Sequence, residues 1–478
     1  MDVHVSLGPT RERTESIYRQ LSAAIVEGRL AGGEPLPASR VLAAELGVSR
    51  TTVAAVYDRL VAEGFTVTRP GAGTFVAPGR ATVTPRRAPR GRTVAARAVW
   101  SGMRFSSTEH VRAPFDFGIG VPDPQLFPLV AWRRNVAREL RSASALVDGY
   151  GHPAGLPRLR TAIARHVALA RSVRAGSDDV IVTAGAQQAF DLTARILVVP
   201  GDVVAVEEPG YPPVRALFTS LGATVVGVRV DELGLVVSEL PARAKLVYTT
   251  PSHQFPTGVR MSLDRRLELL AWAESANAVI IEDDYDSEFH YGAGALDPLQ
   301  VLDRSGRVIY IGTFSKTLLP TLRIGFLVAP ASLIPALTAA KRLSDWNTEI
   351  VGQGALAELI DSGTFAASVR RSNRVYSARR WRIIDGIGRE LDRWLEVVPS
   401  VAGLHLFAQL RPGVPLRVQD VRDAAAAAGV GIQSVASFAV HPDANQARRG
   451  FVLGYGIIDE DGIDRGLHRL GDVLTRLT

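Results

Sequence analysis

Ile311-Gly312-Thr313-Phe314-Ser315-Lys316 closes an apolar run that begins at Val308. Val308-Ile309-Tyr310-Ile311 has the composition of a buried strand, so Lys316 stands where a β-strand gives out. The chain has only three lysines, and Lys245 and Lys341 sit in ordinary surface-like contexts. An amine in an apolar site loses part of its proton affinity, which is what imine chemistry asks of a lysine. Upstream lies Ile280-Ile281-Glu282-Asp283-Asp284-Tyr285-Asp286. A carboxylate at such a strand end can hold a pyridine nitrogen protonated and so make the ring an electron sink, and a tyrosine two residues on can reach a ring hydroxyl. Asp284 and Asp286 read more simply as solvated or capping carboxylates.

Other segments supply what a phosphorylated ring would need. Thr313, Ser315 and Arg323 bring hydroxyls and a charge beside the lysine. Gly185-Ala186-Gln187 opens a helix directly after the strand Val180–Thr183, where free N–H groups favour a phosphate. Tyr211, in Glu208-Pro209-Gly210-Tyr211-Pro212, can stack on a ring face.

Further strands read at 203–206, 224–230, 246–248, 278–281 and 323–328, with helical stretches between most of them. That alternation predicts an α/β fold, a mostly parallel sheet with helices on both faces. From about residue 350 a long Arg-rich helix, strands at 403–410 and 451–454 and a final amphipathic helix suggest a smaller α+β lobe.

The first quarter differs in charge. The net charge is +7, and residues 1–112 hold 16 Arg against 9 Asp/Glu, while the rest balances at 39 of each sign. All the excess therefore lies at one end, which suits an anionic partner such as nucleic acid. The same end patterns as helix (12–29), short helix (41–46), tight turn at Gly47, helix to about Glu63, then strands 65–69 and 73–76 around Pro70-Gly71-Ala72. This is a winged helix-turn-helix plan, whose second helix of the motif reads base edges with its N-terminal residues. Those residues are Ser49, Arg50, Thr51 and Thr52. Arg50 can fork onto guanine, Arg40 faces the groove or backbone, and Arg69 with Gly71, Gly73 and Thr74 forms the wing. Residues 78–112 lose periodicity and carry Pro85-Arg86-Arg87, Pro89-Arg90 and Arg92, the composition of a semi-extended linker.

The run from Leu36-Pro37-Ala38-Ser39-Arg40 through Leu46-Gly47-Val48-Ser49-Arg50-Thr51-Thr52-Val53 to Gly71-Ala72-Gly73-Thr74-Phe75-Val76 resembles the GntR-family DNA-binding domain. From about residue 115 the chain resembles a fold-type I aminotransferase. That resemblance implies pyridoxal 5'-phosphate (PLP) as cofactor, Lys316 as its Schiff-base lysine, Asp283 on the pyridine nitrogen and Tyr285 on the ring hydroxyl. It also implies Tyr211 stacked on the ring, with Gly185, Ala186, Gln187, Thr313, Ser315 and Arg323 around the phosphate. Tyr150, in Tyr150-Gly151-x-x-x-Gly155, matches the tyrosine that family members lend across a dimer to a neighbour's phosphate.

Both resemblances together match the MocR family of regulators, including its PdxR-like members. They imply a winged helix-turn-helix domain over 10–77, a basic linker over 78–112 and an aminotransferase-like domain over 113–478. They further imply a domain-swapped homodimer that binds double-stranded operator or promoter DNA and responds to PLP or an amino compound, with vitamin B6 synthesis a candidate target. The alternative is a PLP-dependent aminotransferase with an accessory DNA-binding domain. Two departures from working aminotransferases argue against full transamination. Phe255, in His253-Gln254-Phe255-Pro256, replaces the usual asparagine, and Val452 falls at the position of the arginine that binds a substrate carboxylate, with Arg448 or Arg449 as possible substitutes. No metal and no catalytic residue is expected. The chain has no cysteine, which excludes thiolate metal sites and disulfides. With no signal-peptide pattern and no apolar run of membrane-spanning length, a cytoplasmic location is expected.

Overall fold

The computed structural model describes residues 12–78, 94–101, 103, 113–141, 149–292, 297–440 and 449–478. The linker arginines Arg86, Arg87, Arg90 and Arg92, and Arg448, lie outside the described residues. The chain divides into two compact units, Met1–Ala96 and Arg97–Thr478.

The first unit contains α1 (Arg13–Val26), α2 (Ser39–Glu45), α3 (Arg50–Ala62), and an antiparallel hairpin of β1 (Thr66–Arg69) and β2 (Gly73–Val76). Local signals set these boundaries. Ser49 caps α3, its hydroxyl accepting from the Thr52 amide at 3.1 Å, which satisfies one of the donors a helix start leaves open. Gly47 and Gly64 turn the chain with φ of 62° and 70°, a conformation that glycine adopts without steric cost. Ile17, Leu21 and Ile25 of α1 meet Val53, Val56 and Leu60 of α3 in a sealed core. Each such side chain contributes about 1.5–3 kcal/mol by leaving water.

The second unit opens on a short helix, α4 (Ala98–Ser101), inside the stretch that the sequence suggested was linker alone. Its central sheet has eight strands: β4 (Val180–Thr183), β5 (Val203–Glu208), β6 (Thr224–Asp231), β7 (Gly234–Leu235), β8 (Ala244–Thr249), β9 (Val279–Asp284), β10 (Val308–Thr313) and β11 (Gly325–Val328), following β3 (Phe115–Asp116). The order across the sheet is β4-β11-β10-β9-β8-β5-β6-β7. The run from β10 to β6 is parallel, while β11 and β7 pair antiparallel. Alternate residues of one strand feed opposite faces, as the two-residue repeat demands. Ile309 and Ile311 meet Ala189, Phe190 and Leu192 of the helix Ala186–Leu197. Val182, Tyr310 and Phe326 face Ile163 and Leu356 on the other side. Arg323, expected to begin β11, instead ends a turn with φ 51° and ψ 45°, and the strand begins at Gly325.

The small lobe carries β12 (Leu395–Val397), β13 (His405–Leu410), β15 (Gln433–Ser434) and β16 (Gly450–Gly454) in one antiparallel sheet, with β14 (Val430–Gly431) pairing β3. Its core joins Leu406, Leu453, Leu467 and Leu470 to Phe115 and Phe117. The lobe is therefore discontinuous in sequence. Where the sequence suggested a lobe from about residue 350, the helix Ile350–Asp361 packs Leu356 and Leu359 with the main sheet. Among the described residues no helix is long and apolar enough to cross a membrane.

Candidate functional site

Parallel strands end on one edge, and a cleft forms where their loops diverge. Register decides which residues meet there. Ile311 of β10 pairs with Asp283 of β9, and Tyr248 of β8 pairs with Ile281. Gly325 pairs both with Thr313 and with Thr183, which draws Arg323 to the start of the helix after β4. A cavity of about 590 Å³ lies over this edge, within the range of small-molecule sites.

Lys316 lines the cavity. Its Nζ donates to the Gly120 carbonyl at 2.6 Å. Burial pushes its pKa below the usual lysine value, against the attraction of Asp286 and Asp283. Asp283 is 5% exposed. Its Oδ2 accepts from the Tyr248 hydroxyl at 2.6 Å, while its Oδ1 finds no partner among the described residues. Burial raises the Asp283 carboxyl to about 7, with the Tyr248 hydrogen bond opposing that rise.

A raised carboxyl pKa makes the folded state less stable as pH climbs from the unfolded to the folded value. Asp283 on an unliganded chain thus costs stability between about 4 and about 7, with a ceiling of roughly 4 kcal/mol. Asp283→Asn is expected to gain Tm relative to wild type across that window, and to lose the gain towards its acid end. Scanning calorimetry at a series of pH values checks this, and parallel curves would contradict it.

The end of the cavity nearest Arg323 adjoins Gly185. This glycine precedes the helix Ala186–Leu197 with φ 78°, and a Cβ there would lie 2.6 Å from the Arg323 guanidinium. Only glycine lets that cation approach the open N–H groups. Arg323 also donates to the Ala184 carbonyl at 2.7 Å. Ala186, Gln187, Thr313, Ser315 and Arg323 all line the cavity. The Thr313 hydroxyl donates to Ser315 Oγ at 3.0 Å and accepts from the Ser315 amide.

Tyr211 and Tyr285 also line the cavity, and Phe255 stands edge-on to both rings at 5.5 and 6.1 Å. The Tyr285 hydroxyl lies 3.0 Å from His253 Nδ1, which is 3.1 Å from both Asp286 oxygens. A carboxylate only accepts, so Nδ1–H is directed to Asp286, and the proton of Tyr285 remains available for another acceptor. Tyr150 does not line this cavity. It is 70% exposed and packs on Trp346 with ring centroids 4.7 Å apart.

Several sequence readings need correction. Asp286 is not a solvated carboxylate: it is 2% exposed and lines the cavity. Asp284 is buried in an ion pair with Arg171 at 2.9 Å and accepts from the Tyr310 hydroxyl, so its role is to hold β9 and β10 to a neighbouring helix. Lys341 is fully buried, donating to Asp345 and Thr348, though outside the cavity. Arg449 reaches the Val414 and Leu416 carbonyls, not the cavity. Tyr248, His253 and His405 were not singled out from the sequence as site residues.

In the first unit Ser49, Arg50 and Thr51 sit exposed at the start of α3, beside the half-buried Thr52, and Arg40 is exposed in α2. Arg19, Arg29 and Arg59 are each paired with a glutamate. Arg40 and Arg50 have no acidic partner among the described residues. Gly71 and Gly73 shape the hairpin tip with φ of 74° and 111°, Thr74 follows in β2, and Arg69 lies over the Phe75 ring at 4.7 Å.

Two family descriptions match the chain: aminotransferase class I and II over residues 114–448, and bacterial regulatory proteins of the gntR family over residues 13–76. The chain is 36% identical to the probable rhizopine catabolism regulatory protein MocR of Rhizobium meliloti, covering 95% of this chain and 92% of that one. It is 32% identical to the pyridoxine biosynthesis transcriptional regulator PdxR of Corynebacterium glutamicum, covering 99% of each. Among solved structures, the kynurenine aminotransferase of Pyrococcus horikoshii, crystallised with PMP and its substrates and products, matches with a TM-score of 0.72. That match has 26% identity and covers 80% of this chain and 97% of the other.

Proposed function

The chain belongs to the MocR-type regulators, a GntR winged helix-turn-helix joined to an aminotransferase class I and II domain, and from that premise we propose that it is a DNA-binding transcription regulator holding PLP on Lys316 and changing its DNA affinity when PLP, or an amine reacting with it, is bound. The observation that carries this reading is the unpartnered, buried Oδ1 of Asp283 in the cavity that Lys316 also lines. An isolated buried acceptor is costly unless a ligand supplies the donor, and a pyridinium N–H is such a donor.

The residues fit the cofactor. Lys316 offers its amine, Asp283 a carboxylate, Tyr285 a phenol proton and Tyr211 an aromatic face. Gly185, Ala186, Gln187, Thr313, Ser315 and Arg323 offer N–H, hydroxyl and guanidinium groups to a phosphate. When bound, PLP supplies an electrophilic carbon for exchange between Lys316 and an incoming amine. Tyr150, exposed and outside its own cavity, fits a role at a neighbouring subunit's phosphate in a homodimer. On the DNA side, Ser49, Arg50, Thr51 and Thr52 meet base edges, and Arg40, Arg69, Gly71, Gly73 and Thr74 meet the backbone or minor groove. Control of vitamin B6 synthesis belongs to the same proposal, supported by the similarity to PdxR.

Regulation demands that ligand bind two states unequally, not that it turn over. With PLP loaded and an amino donor and keto acceptor in excess, product is expected not to exceed about one equivalent per subunit. Sustained turnover faster than about 1 per second, an ordinary enzyme rate, would instead make the chain an aminotransferase with an accessory DNA-binding domain.

A further inference from the structure

The walls of the cavity away from the phosphate end carry a chemical preference. Two cations line the cavity among the described residues, Lys316 and Arg323, and both stand at the cofactor end. Arg323 is tied to the Ala184 carbonyl at the helix start, and Lys316 to the Gly120 carbonyl. Two further polar groups of the wall, Asp286 and His405, offer acceptors. Asp286, 2% exposed, holds its carboxylate against His253 Nδ1 at 3.1 Å. His405, also 2% exposed, is kept uncharged, since burial and then the neighbouring His253 press its pKa well below the usual value. Its Nε2 has no partner among the described residues. One ring nitrogen interacts with the Pro256 backbone, which leaves Nε2 as the open one.

Where the sequence comparison with aminotransferases puts a carboxylate-binding arginine, Val452 is fully buried with Phe407, Val435 and Phe438. Arg449 is turned to carbonyls elsewhere. Met103, Pro213, Ala216 and Leu217 add an apolar stretch of wall, with Trp100 at 48% exposure, and the Ser220 hydroxyl beside them donates to the Leu217 carbonyl. A carboxylate entering here would lose water, find no free cation among the described residues and face Asp286. Such a buried, unpaired charge is strongly disfavoured. A second ammonium would instead donate to both Asp286 and His405 Nε2, whose acceptor atoms lie within 4.8 Å of each other, and a hydroxyl would donate to one of them.

We propose that the effector is a primary amine that carries no carboxylate, with a hydrogen-bond donor (a hydroxyl or second ammonium) at its far end and a short apolar body between. This rests on the reading that Lys316 holds PLP. The amine end exchanges with Lys316: its nitrogen forms the bond to the cofactor carbon as the Lys316 nitrogen leaves and takes up a proton, so no oxidant, reductant or water is consumed.

The test uses PLP-loaded full-length protein and matched pairs of equal chain length, 3-aminopropanol against β-alanine and 4-aminobutanol against 4-aminobutanoate, with 1,4-diaminobutane as a third probe. Each is titrated while the visible absorbance of the bound cofactor is followed. The alcohol of each pair, or the diamine, is expected to perturb the spectrum at a concentration at least about tenfold below that of the amino acid, the scale on which such sites discriminate. Asp286→Asn is expected to narrow that ratio. Amino acids acting as well as the alcohols, or no response to any probe, would overturn the inference, and an unchanged ratio in Asp286→Asn would remove Asp286 from it. Borohydride labelling of Lys316 separates the two levels. A labelled lysine with the wrong ligand preference sinks only this inference, whereas no label on Lys316 sinks the cofactor reading beneath it.

Discussion

Borohydride reduction of the PLP-loaded protein is expected to place a pyridoxyl group on the peptide containing Lys316 and on no other, and Lys316→Ala is expected to carry none. The chain offers only three candidates. Lys245 lies exposed on β8. Lys341 is buried, but its ammonium is occupied by Asp345 at 2.6 Å and Thr348 at 2.9 Å, and it does not line the cavity. Lys316 alone combines a place in the cavity with an amine depressed by burial, so a larger share of it is neutral and nucleophilic near neutral pH. The loss should not come from unfolding. Truncating a side chain that already borders an open cavity leaves no sealed void, and removing a desolvated ammonium removes a cost. The Tm of unloaded Lys316→Ala should therefore equal or exceed that of unloaded wild type. Peptide mass mapping reads the label, and a pyridoxyl group on Lys341 would contradict the assignment.

Arg50→Ala is expected to weaken binding to a selected operator by about 1–3 kcal/mol, roughly 5- to 150-fold, and to relax base preference at one position. The expectation follows from where the side chain stands. Arg50 is the first residue of α3, held at the helix entrance by the Ser49 cap, exposed and without a carboxylate partner among the described residues. Arg59 supplies the contrast. It is bonded to Glu15 and Glu63 and stacked 3.7 Å over the Tyr18 ring, so Arg59→Ala should lower the stability of the head and leave the base preference of the folded fraction unchanged. Fluorescence anisotropy on operator and scrambled duplexes at two salt concentrations distinguishes the cases. An equal loss on both duplexes would make Arg50 a phosphate contact and would shift the burden of sequence reading to other residues.

What the sequence made legible was mostly local or set by strand ends. Ser49 before an apolar-periodic run and Gly47 and Gly64 at helix ends are short-range signals, and the structure has the expected cap and turns. Lys316 and Asp283 stood out because each follows an apolar strand, and parallel pairing of β9 with β10 brings such positions together. The residues that completed the site carry no such signal. Tyr248 meets Asp283 across 35 positions through the pairing of β8 with β9, and His253 meets Asp286 across 33 from the loops that follow those strands. His405 arrives from the small lobe. Asp286 sits in a run of acidic residues that reads as solvated until the fold closes over it. Trp100 was hidden because residues 78–112 have no periodicity, although one turn of helix forms there. Lys341 differs, since Asp345 at i+4 on the same helix is a local signal for its partner, while Thr348 reaches it from beyond the helix end.

Control of DNA binding by the proposed cofactor site is tested most directly by operator affinity in three states: stripped protein, PLP-loaded protein, and PLP-loaded protein with the best-acting amine, each for wild type and Lys316→Ala. A coupling free energy of the usual size, about 1–3 kcal/mol, predicts that at least one loaded wild-type state differs from the stripped state by about 5-fold or more, with Lys316→Ala showing no such difference. Equal operator affinity in all three wild-type states, with Lys316 shown to carry the pyridoxyl label, would contradict it.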